Sequence, residues 1–313
     1  MTGSVLASEY RVSHRRLFAL VERAQALPAL RTAVVYPNDL PSLRAAIEAT
    51  RAGLIDPVFY GPELRMRTLA EEANLSIPGA VKDTGESVGS AARMAVADAG
   101  CGRVSALMKG SLHTHELLAS VVARDSPIRG CGRMTHVFVF DLPRYHKLLA
   151  VTDAVINIAP DVRTKADAIV NAVQLLESLA VQVPRVAIVA AVETVNPSIP
   201  ATVDAAALVV LAREGRFGTA IVEGPFGLDN AISTAAASSK GIFSEVAGDA
   251  DLLVAPDLNS GNMLYKSFVY LGGAECAGIV QGARVPIILT SRADSQFSRI
   301  ASCALASIAS TVA

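Results

Sequence analysis

Short apolar runs and segments of helical period alternate along most of this chain, and this alternation restricts the fold more than any other feature of the sequence. Apolar runs at 32–36, 57–60 and 104–108 predict buried strands, and residues 43–52 and 87–99 predict helices between them. Helical segments between strands are typical of βαβ units, in which a crossover helix joins two parallel strands. We therefore expect an α/β protein, and neither a β-sandwich nor a helical bundle.

A second series of strands and helices follows a stretch of weak periodicity around residues 143–150. The apolar runs at 154–158 and 186–191 predict strands, and residues 165–180 between them predict a helix. At 313 residues the chain is long enough to bury two hydrophobic cores. We therefore expect two α/β domains with a boundary near residue 146.

The charge and composition of the chain argue against several classes of partner. The 28 Lys and Arg residues nearly balance the 29 Asp and Glu residues, so no overall basic field attracts nucleic acid or an anionic membrane. No apolar run approaches the roughly 18 residues that span a bilayer. The four cysteines lie far apart without CxxC spacing, and the first residues lack a secretory pattern. We expect a cytoplasmic protein that binds neither nucleic acid nor membranes.

Residues 251–271 contain a candidate ligand-binding loop. Residues 251–255 predict a buried strand, and the helical period of residues 263–271 predicts a helix. The loop between them is rich in residue types that favour helix N-caps. In an open α/β sheet, ligands bind beyond the carboxyl ends of the strands, where the first amides of the following helix can bind anions. We therefore expect this loop to shape a substrate pocket through Asp257, Asn259, Ser260 and Gly261.

Basic residues supply further candidates for binding an anionic substrate. Arg292 follows the apolar run at 285–289, and the planar fork of an arginine matches the oxygen atoms of a phosphate. Arg129 and Arg133 flank two glycines, where the backbone can approach a ligand closely. Lys109 comes before a predicted helix, whose first amides can bind an anion. The alternative for each of these residues is an ordinary solvated side chain.

A metal site is not expected. His113 and His115 would share a face only on an extended strand, and their segment is predicted to begin a helix. The sequence contains neither an HExxH motif nor a cysteine cluster with the spacing of metal ligands. The candidate site residues therefore include no metal ligand.

Several stretches of the sequence carry a specific resemblance to a known family. They are PDLNSGNMLYK at 256–266, LGGAE at 271–275, VNPSIPATVDAA at 195–206 and GPFGLDNAIS at 224–233, with SR at 291–292 after the next apolar run. Together they resemble the phosphate acetyltransferase and phosphate butyryltransferase family. The motifs extend over most of residues 186–295, while the residues before about 100 show only a general α/β pattern.

The resemblance implies a particular fold. The family has two three-layer α/β domains with a cleft between them, and this two-lobed fold is similar to that of the isocitrate and isopropylmalate dehydrogenases. The resemblance also implies that the last helix returns to pack on the first domain. With the boundary near residue 146, we expect a first domain of residues 1–145 plus 286–313 and a second of residues 146–285. The Ala- and Val-rich helices of the second domain, together with the family, indicate a homodimer.

The resemblance also implies an activity. Members of the family interconvert acyl-CoA and phosphate with acyl phosphate and CoA, by direct transfer within a ternary complex. We therefore expect acyl-CoA and inorganic phosphate as substrates, with coenzyme A acting as a substrate and no permanently bound cofactor. The reaction needs a base or a cation near the thiol, arginines for the phosphate, and hydrogen-bond donors for the developing oxyanion.

The resemblance assigns roles to residues near the end of the chain. In the family, the serine and arginine that correspond to Ser291 and Arg292 line the active site. We expect Arg292 and Arg133 to bind phosphate, and Ser291 to contact the thiol or the carbonyl oxygen. The family places an aspartate seven residues after that serine, as a base for the thiol, but Ser298 stands at this position. Asp294 is the nearest acidic candidate for the base.

Two other functions stay open. One is a metal-dependent dehydrogenase of the same fold, which would need clustered carboxylates to hold Mg²⁺ or Zn²⁺. The other is a catalytically degenerate acyl-CoA-binding module, which Ser298 leaves open because it stands in place of the base. The formation of acyl phosphate from acyl-CoA and phosphate distinguishes the three functions.

Overall fold

The computed structural model of the chain describes residues 11–289 and 294–311. Strands and helices alternate along most of these residues, which confirms the α/β class. The described residues lie in two compact units. The central unit comprises residues 11–17 and Gly132–Cys276, and the N-terminal unit comprises Phe18–Cys131 with the described residues from Ala277 onward. These units are compact parts of the folded chain, whereas a domain must also be able to fold alone. The domain boundaries expected from the sequence therefore remain a prediction.

The elements are numbered along the whole chain. The first series is α1 (Arg15–Gln25), β1 (Leu30–Val35), α2 (Leu40–Arg51), β2 (Ile55–Gly61), α3 (Glu63–Glu72), β3 (Ala80–Asp83), α4 (Val88–Gly100), β4 (Ala106–Lys109) and α5 (Thr114–Val122). The second series is β5 (Thr135–Asp141), β6 (Leu149–Thr152), α6 (Val162–Ser178), β7 (Arg185–Val189), α7 (Pro200–Arg213), β8 (Ile221–Phe226), α8 (Leu228–Ile232), α9 (Thr234–Ser239), β9 (Leu252–Val254) and α10 (Leu258–Lys266). The chain then forms a π-helical turn (Ser267–Leu271), β10 (Glu275–Gln281), β11 (Ile287–Ile288) and α11 (Gln296–Ala309).

The N-terminal unit contains a mixed sheet with the strand order β3-β2-β1-β4-β11-β10. Its neighbouring strands are parallel, except that β10 and β11 are antiparallel. Helix α4 packs against β1, β2 and β4, and helix α11 packs against α2 and β11. The fully buried strand residues of this sheet include Ala33, Val34, Phe59 and Leu107.

The central unit contains a second set of paired strands, in the order β5-β6-β9-β7-β8. The pairs β6–β9, β9–β7 and β7–β8 are parallel, and the pair β5–β6 is antiparallel. Aromatic residues dominate part of its core. The ring of Tyr265 on α10 stacks on the ring of Phe138 on β5, with 4.3 Å between the centroids, and Phe268 meets the ring of Phe140 edge-on. These contacts hold the last turn of α10 and the π-helical turn against β5.

Both units depart from an all-parallel arrangement for the same physical reason. Strands β5 and β6 are joined by residues 142–148, and strands β10 and β11 are joined by residues 282–286. Both connections are shorter than the dozen or so residues that a parallel crossover needs. The chain can therefore return only in the opposite direction, which makes these two pairs antiparallel.

The strand predicted at 154–158 is wrong, and the strand of this region is β6, which ends at Thr152. The carboxylate of Asp153 accepts hydrogen bonds from the backbone N–H groups of Val155 and Ile156, at 2.8 and 3.0 Å. These bonds turn the chain immediately after β6, so the apolar residues that follow do not extend. Ile158, which ends the predicted strand, is 74% exposed.

A buried carboxylate joins the outer strands of the N-terminal unit to α4. Asp98 on α4 accepts hydrogen bonds from the hydroxyl of Tyr60 on β2 at 2.6 Å, from the guanidinium of Arg103 at 2.5 Å, and from the ammonium of Lys82 on β3. Burial alone would raise the pKa of Asp98, but hydrogen bonds from Lys82, Tyr60 and Arg103 outweigh burial and lower this pKa to about 2. Burial and the bond to Asp98 raise the pKa of Tyr60.

Replacing Asp98 should destabilise the protein in a way that depends on pH. A carboxyl group with a pKa of about 2 in the folded state and about 3.9 in the unfolded state stabilises the fold by about 2–3 kcal/mol at neutral pH. This contribution is complete above the unfolded pKa and is lost as the pH falls through the folded pKa. Asp98→Asn should therefore lower the free energy of unfolding at pH 7, and the difference from the wild type should shrink between about pH 4 and pH 2.

Urea denaturation at a series of pH values measures this effect. Asp56→Asn is the matched control, because Asp56 pairs with Arg31 at the surface, where both side chains are more than a third exposed. An exposed pair of this kind contributes no more than about 1 kcal/mol. A difference between the wild type and Asp98→Asn that stays constant from pH 7 to pH 3 would contradict the assigned role of this carboxylate.

Candidate active site

The carboxyl ends of β1, β4 and β11 lie side by side in the N-terminal unit. Val35 at the end of β1 is paired with Lys109 at the end of β4, and Met108 is paired with Ile288 at the end of β11. Parallel strands place their carboxyl ends at one edge of a sheet, where ligands bind in open α/β folds. Ser291 and Arg292 follow β11 along the chain, and both residues lie outside the described residues.

The loop after β4 is fixed by hydrogen bonds to its own backbone and to the segment after β1. The ammonium of Lys109 donates to the carbonyl oxygens of Gly110 and Leu112, at 3.1 and 3.2 Å. The hydroxyl of Ser111 donates to the carbonyl oxygen of Tyr36 at 2.8 Å and accepts from the backbone N–H of Asn38 at 2.9 Å. Lys109 thus places its positive charge against the loop that follows its own strand.

Arg129 is exposed, and it lies in a loop whose backbone contacts the connection between β10 and β11 in the N-terminal unit. The backbone N–H of Arg284 donates to the carbonyl oxygen of Ile128 at 2.9 Å. A Cβ atom on Gly130 would lie only 1.9 Å from the carbonyl oxygen of Gly282. The absence of a side chain at Gly130 is therefore needed for the loop to pack against the β10–β11 connection.

Arg133 is exposed, and its backbone is held from both sides by helix α6 of the central unit. Its N–H donates to the carboxylate of Asp167 at 3.0 Å, and its carbonyl oxygen accepts from the amide of Asn171 at 3.0 Å. The same amide donates to the hydroxyl of Thr135 at 2.9 Å. Asp167 also pairs with Arg216 at 3.5 Å. The backbone at Arg133 is thereby fixed while its side chain faces solvent.

The residues after β9 cap and begin helix α10 in the central unit. Asp257 is the N-cap of α10, and its carboxylate accepts from the N–H of Ser260 at 3.0 Å and from the hydroxyl of Ser260 at 3.1 Å. Asn259 is exposed. Gly261 is buried, and a Cβ atom there would lie 2.4 Å from the carbonyl oxygen of Asp153. Asp257 and Ser260 therefore fix the start of α10, and Gly261 lets this helix contact the loop after β6.

The first turn of α11 contains the position at which the family has an aspartate. Ser295 is the N-cap, and its hydroxyl accepts from the N–H of Ser298 at 2.9 Å. Ser298 is 5% exposed, and its carbonyl oxygen accepts from the hydroxyl of Ser302 at 2.8 Å. Asp294 lies just before the N-cap and is partly exposed. The acidic group nearest to the expected base position therefore precedes the helix, and Ser298 lies within it.

Two groups of polar residues at strand ends escaped the sequence analysis. After β6, the buried carboxylate of Asp153 accepts a hydrogen bond from the side-chain amide of Asn157 at 2.7 Å. The sequence offered no signal for this pair, because a strand was predicted at 154–158, beyond the true end of β6. After β7, Glu193 accepts from the ammonium of Lys240 at 2.7 Å, which lowers the pKa of this carboxyl group. Lys240 also pairs with Asp229 at 3.1 Å. The sequence signal for this second group was the GPFGLDNAIS motif.

Within the part of the chain that the structure describes, no three His, Cys, Asp or Glu side chains are grouped closely enough to hold a metal ion. His113 precedes α5, its N–H donates to Glu116 at 2.7 Å, and its ring stacks on that of His115 with 5.6 Å between the centroids. Among the same described residues, no helix is long and apolar enough to span a bilayer.

The comparison with known families matches residues 80–307 to the family model described as phosphate acetyl/butaryl transferase. The match extends over more than half of the chain. The chain belongs to the phosphate acetyl/butyryltransferase family. This membership identifies it as an acyltransferase and confirms the resemblance seen in the sequence motifs.

Individual members of the phosphate acetyl/butyryltransferase family are similar over nearly the whole chain. The phosphate acetyltransferase of Rhizobium meliloti is 47% identical over 290 residues, which are 92% of each chain. The phosphate butyryltransferase of Clostridium beijerinckii is 35% identical over 92% of this chain and 96% of its own. The crystal structure of a branched-chain phosphotransacylase from Enterococcus faecalis aligns with a TM-score of 0.78 at 27% identity, over 90% of this chain and 99% of that one.

Gly261→Ala should destabilise the protein, because the added methyl group would meet the backbone oxygen of Asp153 at 2.4 Å. Inserting a methyl group into such a contact costs about 1–3 kcal/mol. Gly89→Ala is the matched control, since Gly89 also lies near the start of a helix and a Cβ atom there meets only the guanidinium of Arg93. The control should be neutral or slightly stabilising. Thermal melting of both variants measures the contrast, and equal melting temperatures would refute the proposed contact.

Proposed function

We propose that this protein is a phosphate acyltransferase, which converts acyl-CoA and phosphate to acyl phosphate and CoA and catalyses the reverse reaction. Its membership of the phosphate acetyl/butyryltransferase family, across residues 80–307, is the observation that carries the proposal. The substrates are acyl-CoA and inorganic phosphate. Relatives named for acetyl and for butyryl transfer both align over most of the chain, so a short acyl group is the proposed cargo.

The proposed reaction is a single displacement at the acyl carbon. A phosphate oxygen attacks the thioester carbonyl, the C–S bond breaks, and the electron pair of that bond leaves with the CoA thiolate. In the reverse direction the thiolate attacks the acyl phosphate, and the C–O bond to phosphate breaks. The step needs cations to hold the phosphate and a group to exchange a proton with the thiol, whose free pKa is about 8.5. No metal and no covalent enzyme intermediate takes part in this scheme.

Each side chain has a proposed role in that reaction. Arg292 and Arg133 bind the phosphate, and the exposed guanidinium of Arg133 on its fixed backbone suits this role. Ser291 contacts the thiol or the carbonyl oxygen. Asp294 exchanges the proton with the thiol, since Ser298 cannot act as a carboxylate base.

Further basic and polar residues complete the proposed site. Lys109 and Arg129 belong to the N-terminal unit and add positive charge for the anionic parts of the substrates. The N-cap and first turn of α10, with Asp257, Asn259, Ser260 and Gly261, shape the substrate pocket of the central unit. Coenzyme A enters as a substrate, and no cofactor is permanently bound.

We infer two three-layer α/β domains with a cleft between them, as in the isocitrate and isopropylmalate dehydrogenases, and a homodimer formed largely by the second domain. Exposed apolar side chains on α7, Val203 at 44% and Val210 at 50%, support this choice of interface. The four cysteines are free thiols, which agrees with a reducing cytoplasm.

The test of the proposed function is acyl phosphate formation by the purified protein. Acyl-CoA and phosphate are mixed, the free thiol is followed continuously, and acyl phosphate is trapped with hydroxylamine. Thiol release that depends on phosphate, with one acyl phosphate formed per thiol, is the expected result. Thiol release without phosphate would indicate a thioesterase, and binding of acyl-CoA without turnover would favour the degenerate acyl-CoA-binding module. The family and its named members do not favour the dehydrogenase.

Replacing Arg292 should impair the reaction more than any other basic substitution. Hydrogen bonds to a charged group contribute about 1.5–3 kcal/mol each, so losing one or two lowers kcat/KM for phosphate by roughly ten- to ten-thousand-fold. Arg292→Ala should show this loss, and Arg292→Lys a smaller one, because lysine keeps the charge without the planar fork. Arg51→Ala, at an exposed position in the last turn of α2, is the control. A folded Arg292→Ala protein with wild-type efficiency would remove this residue from the phosphate site.

Asp294→Asn should lower turnover by about two to four orders of magnitude, the usual contribution of general acid–base catalysis. The variant should also lose the acidic limb of the pH profile of kcat/KM, since that limb reports the ionisation of the base. Asp125→Asn, at an exposed position in the N-terminal unit, is the control. Near-normal turnover in Asp294→Asn would clear this residue of the role, and the thiol would then be activated by cations alone or by another group.

A further inference from the structure

A pocket of about 450 Å³ lies at the carboxyl ends of β7 and β9 in the central unit. It is lined by the end of β7, the start of α7, the loop after β9 and the first turns of α10. Its volume falls within the roughly 300–1,000 Å³ of small-molecule sites. Asp257 and Ser260, which we expect to shape a substrate pocket, are among its lining residues.

The strand order gives the pocket a special position in the sheet. Strands β9 and β7 are parallel neighbours, but the chain leaves them in opposite directions. From β7 it continues into α7, which packs on β7 and β8, and from β9 it continues into α10, which packs on β6. The two helices therefore diverge and leave a crevice between their first turns. In open α/β sheets this is the point at which ligands bind.

The chemistry of the walls selects one kind of ligand. Most of the lining is apolar, and its members include Val189, Ala190, Ala191, Ile199, Met263 and Leu264. Asp257 and Ser260, which are among its polar members, are hydrogen-bonded to each other. Among the described residues that line the pocket none is basic, and the carboxylate of Asp257 repels anions. The side chains of the walls therefore favour a short hydrocarbon group.

We propose that this pocket binds the acyl chain and makes acyl groups of about four carbons better substrates than acetyl. The inference rests on the proposed function and adds the specificity of the same site. Ala190 and Ala191 form the pocket wall at the end of β7, and each contributes only one methyl group. These small side chains leave room for a hydrocarbon chain. Each methylene that enters such a pocket improves discrimination roughly three- to tenfold or more. Butyryl has two more methylene groups than acetyl, and the acyl-chain pocket discriminates between the two acyl groups through these methylenes.

The test compares kcat/KM for acetyl-CoA, butyryl-CoA and hexanoyl-CoA, with phosphate saturating. The wild type should prefer butyryl-CoA over acetyl-CoA by about tenfold or more. Ala201→Leu places a bulky side chain in the pocket from the first turn of α7 and should lower the butyryl-to-acetyl ratio about tenfold. Ala206→Leu is the matched control, since it makes the same change on the same helix at a residue outside the pocket lining. Its ratio should equal that of the wild type.

A second variant changes the pocket in the opposite direction. Met263 lines the pocket and is 66% exposed, so Met263→Ala widens the pocket and should fold normally. This variant should raise the hexanoyl-to-butyryl ratio of kcat/KM several-fold. It keeps the proposal open to refutation if Ala201→Leu fails to fold. Equal ratios in the wild type and Met263→Ala, or an equal loss on all acyl-CoA substrates in Ala201→Leu, would overturn the proposal.

Calorimetric titration without phosphate distinguishes failure of this proposal from failure of the proposed function. The wild type should bind butyryl-CoA about tenfold more tightly than acetyl-CoA, and Ala201→Leu should bind the two alike. Selective binding without acyl phosphate formation would refute the proposed function and support the pocket. Acyl phosphate formation with no selectivity for chain length, in turnover or in binding, would refute the pocket and support the function.

Discussion

The pairing of parallel strands is the constraint on which the rest of the structure depends. Each parallel pair requires a crossover helix, and each crossover returns the chain so that every strand in the series ends at the same edge of its sheet. In the N-terminal unit this brings the loops after β1 and β4 together, and in the central unit it brings together the loops after β7 and β9. Segments that are distant in the sequence become neighbours through strand register, as the hydrogen bond between Ser111 and Tyr36 shows for the segments after β4 and β1.

Many polar residues at these strand ends form hydrogen bonds that stabilise the loop backbone, and these bonds exist without any ligand. Asp257 and Ser260 bond each other at the start of α10, and Ser111 bonds the segment after β1. A buried polar group without a hydrogen bond destabilises the fold by about 1–3 kcal/mol, so these internal bonds are needed for the loops to exist. A substitution in such a loop therefore changes stability and activity together, and only controls matched in position separate the two effects.

The α/β class and most helices followed from the sequence because hydrophobic periodicity reports directly on burial, as in α4 and α6. Close backbone contacts did not follow. The glycines beside Arg129 and Arg133 suggested approach to a ligand, whereas Gly130 meets the backbone of Gly282. Strand β6 was placed too late because apolar residues continue beyond it, and only the hydrogen bonds of Asp153 show that the chain turns there. The motifs of the second half predicted the family, since they reflect family membership and not local propensity.

The two hydrogen bonds from α6 to the backbone of Arg133 have a consequence for how an anion would be captured. Because Asp167 and Asn171 already fix the N–H and the carbonyl oxygen of this residue, the backbone entropy is lost when the chain folds and not when a ligand arrives. An anion at the guanidinium then has to immobilise only the side-chain torsions. Any affinity for an anion at this arginine would therefore depend partly on two residues of a helix that need not touch the ligand at all.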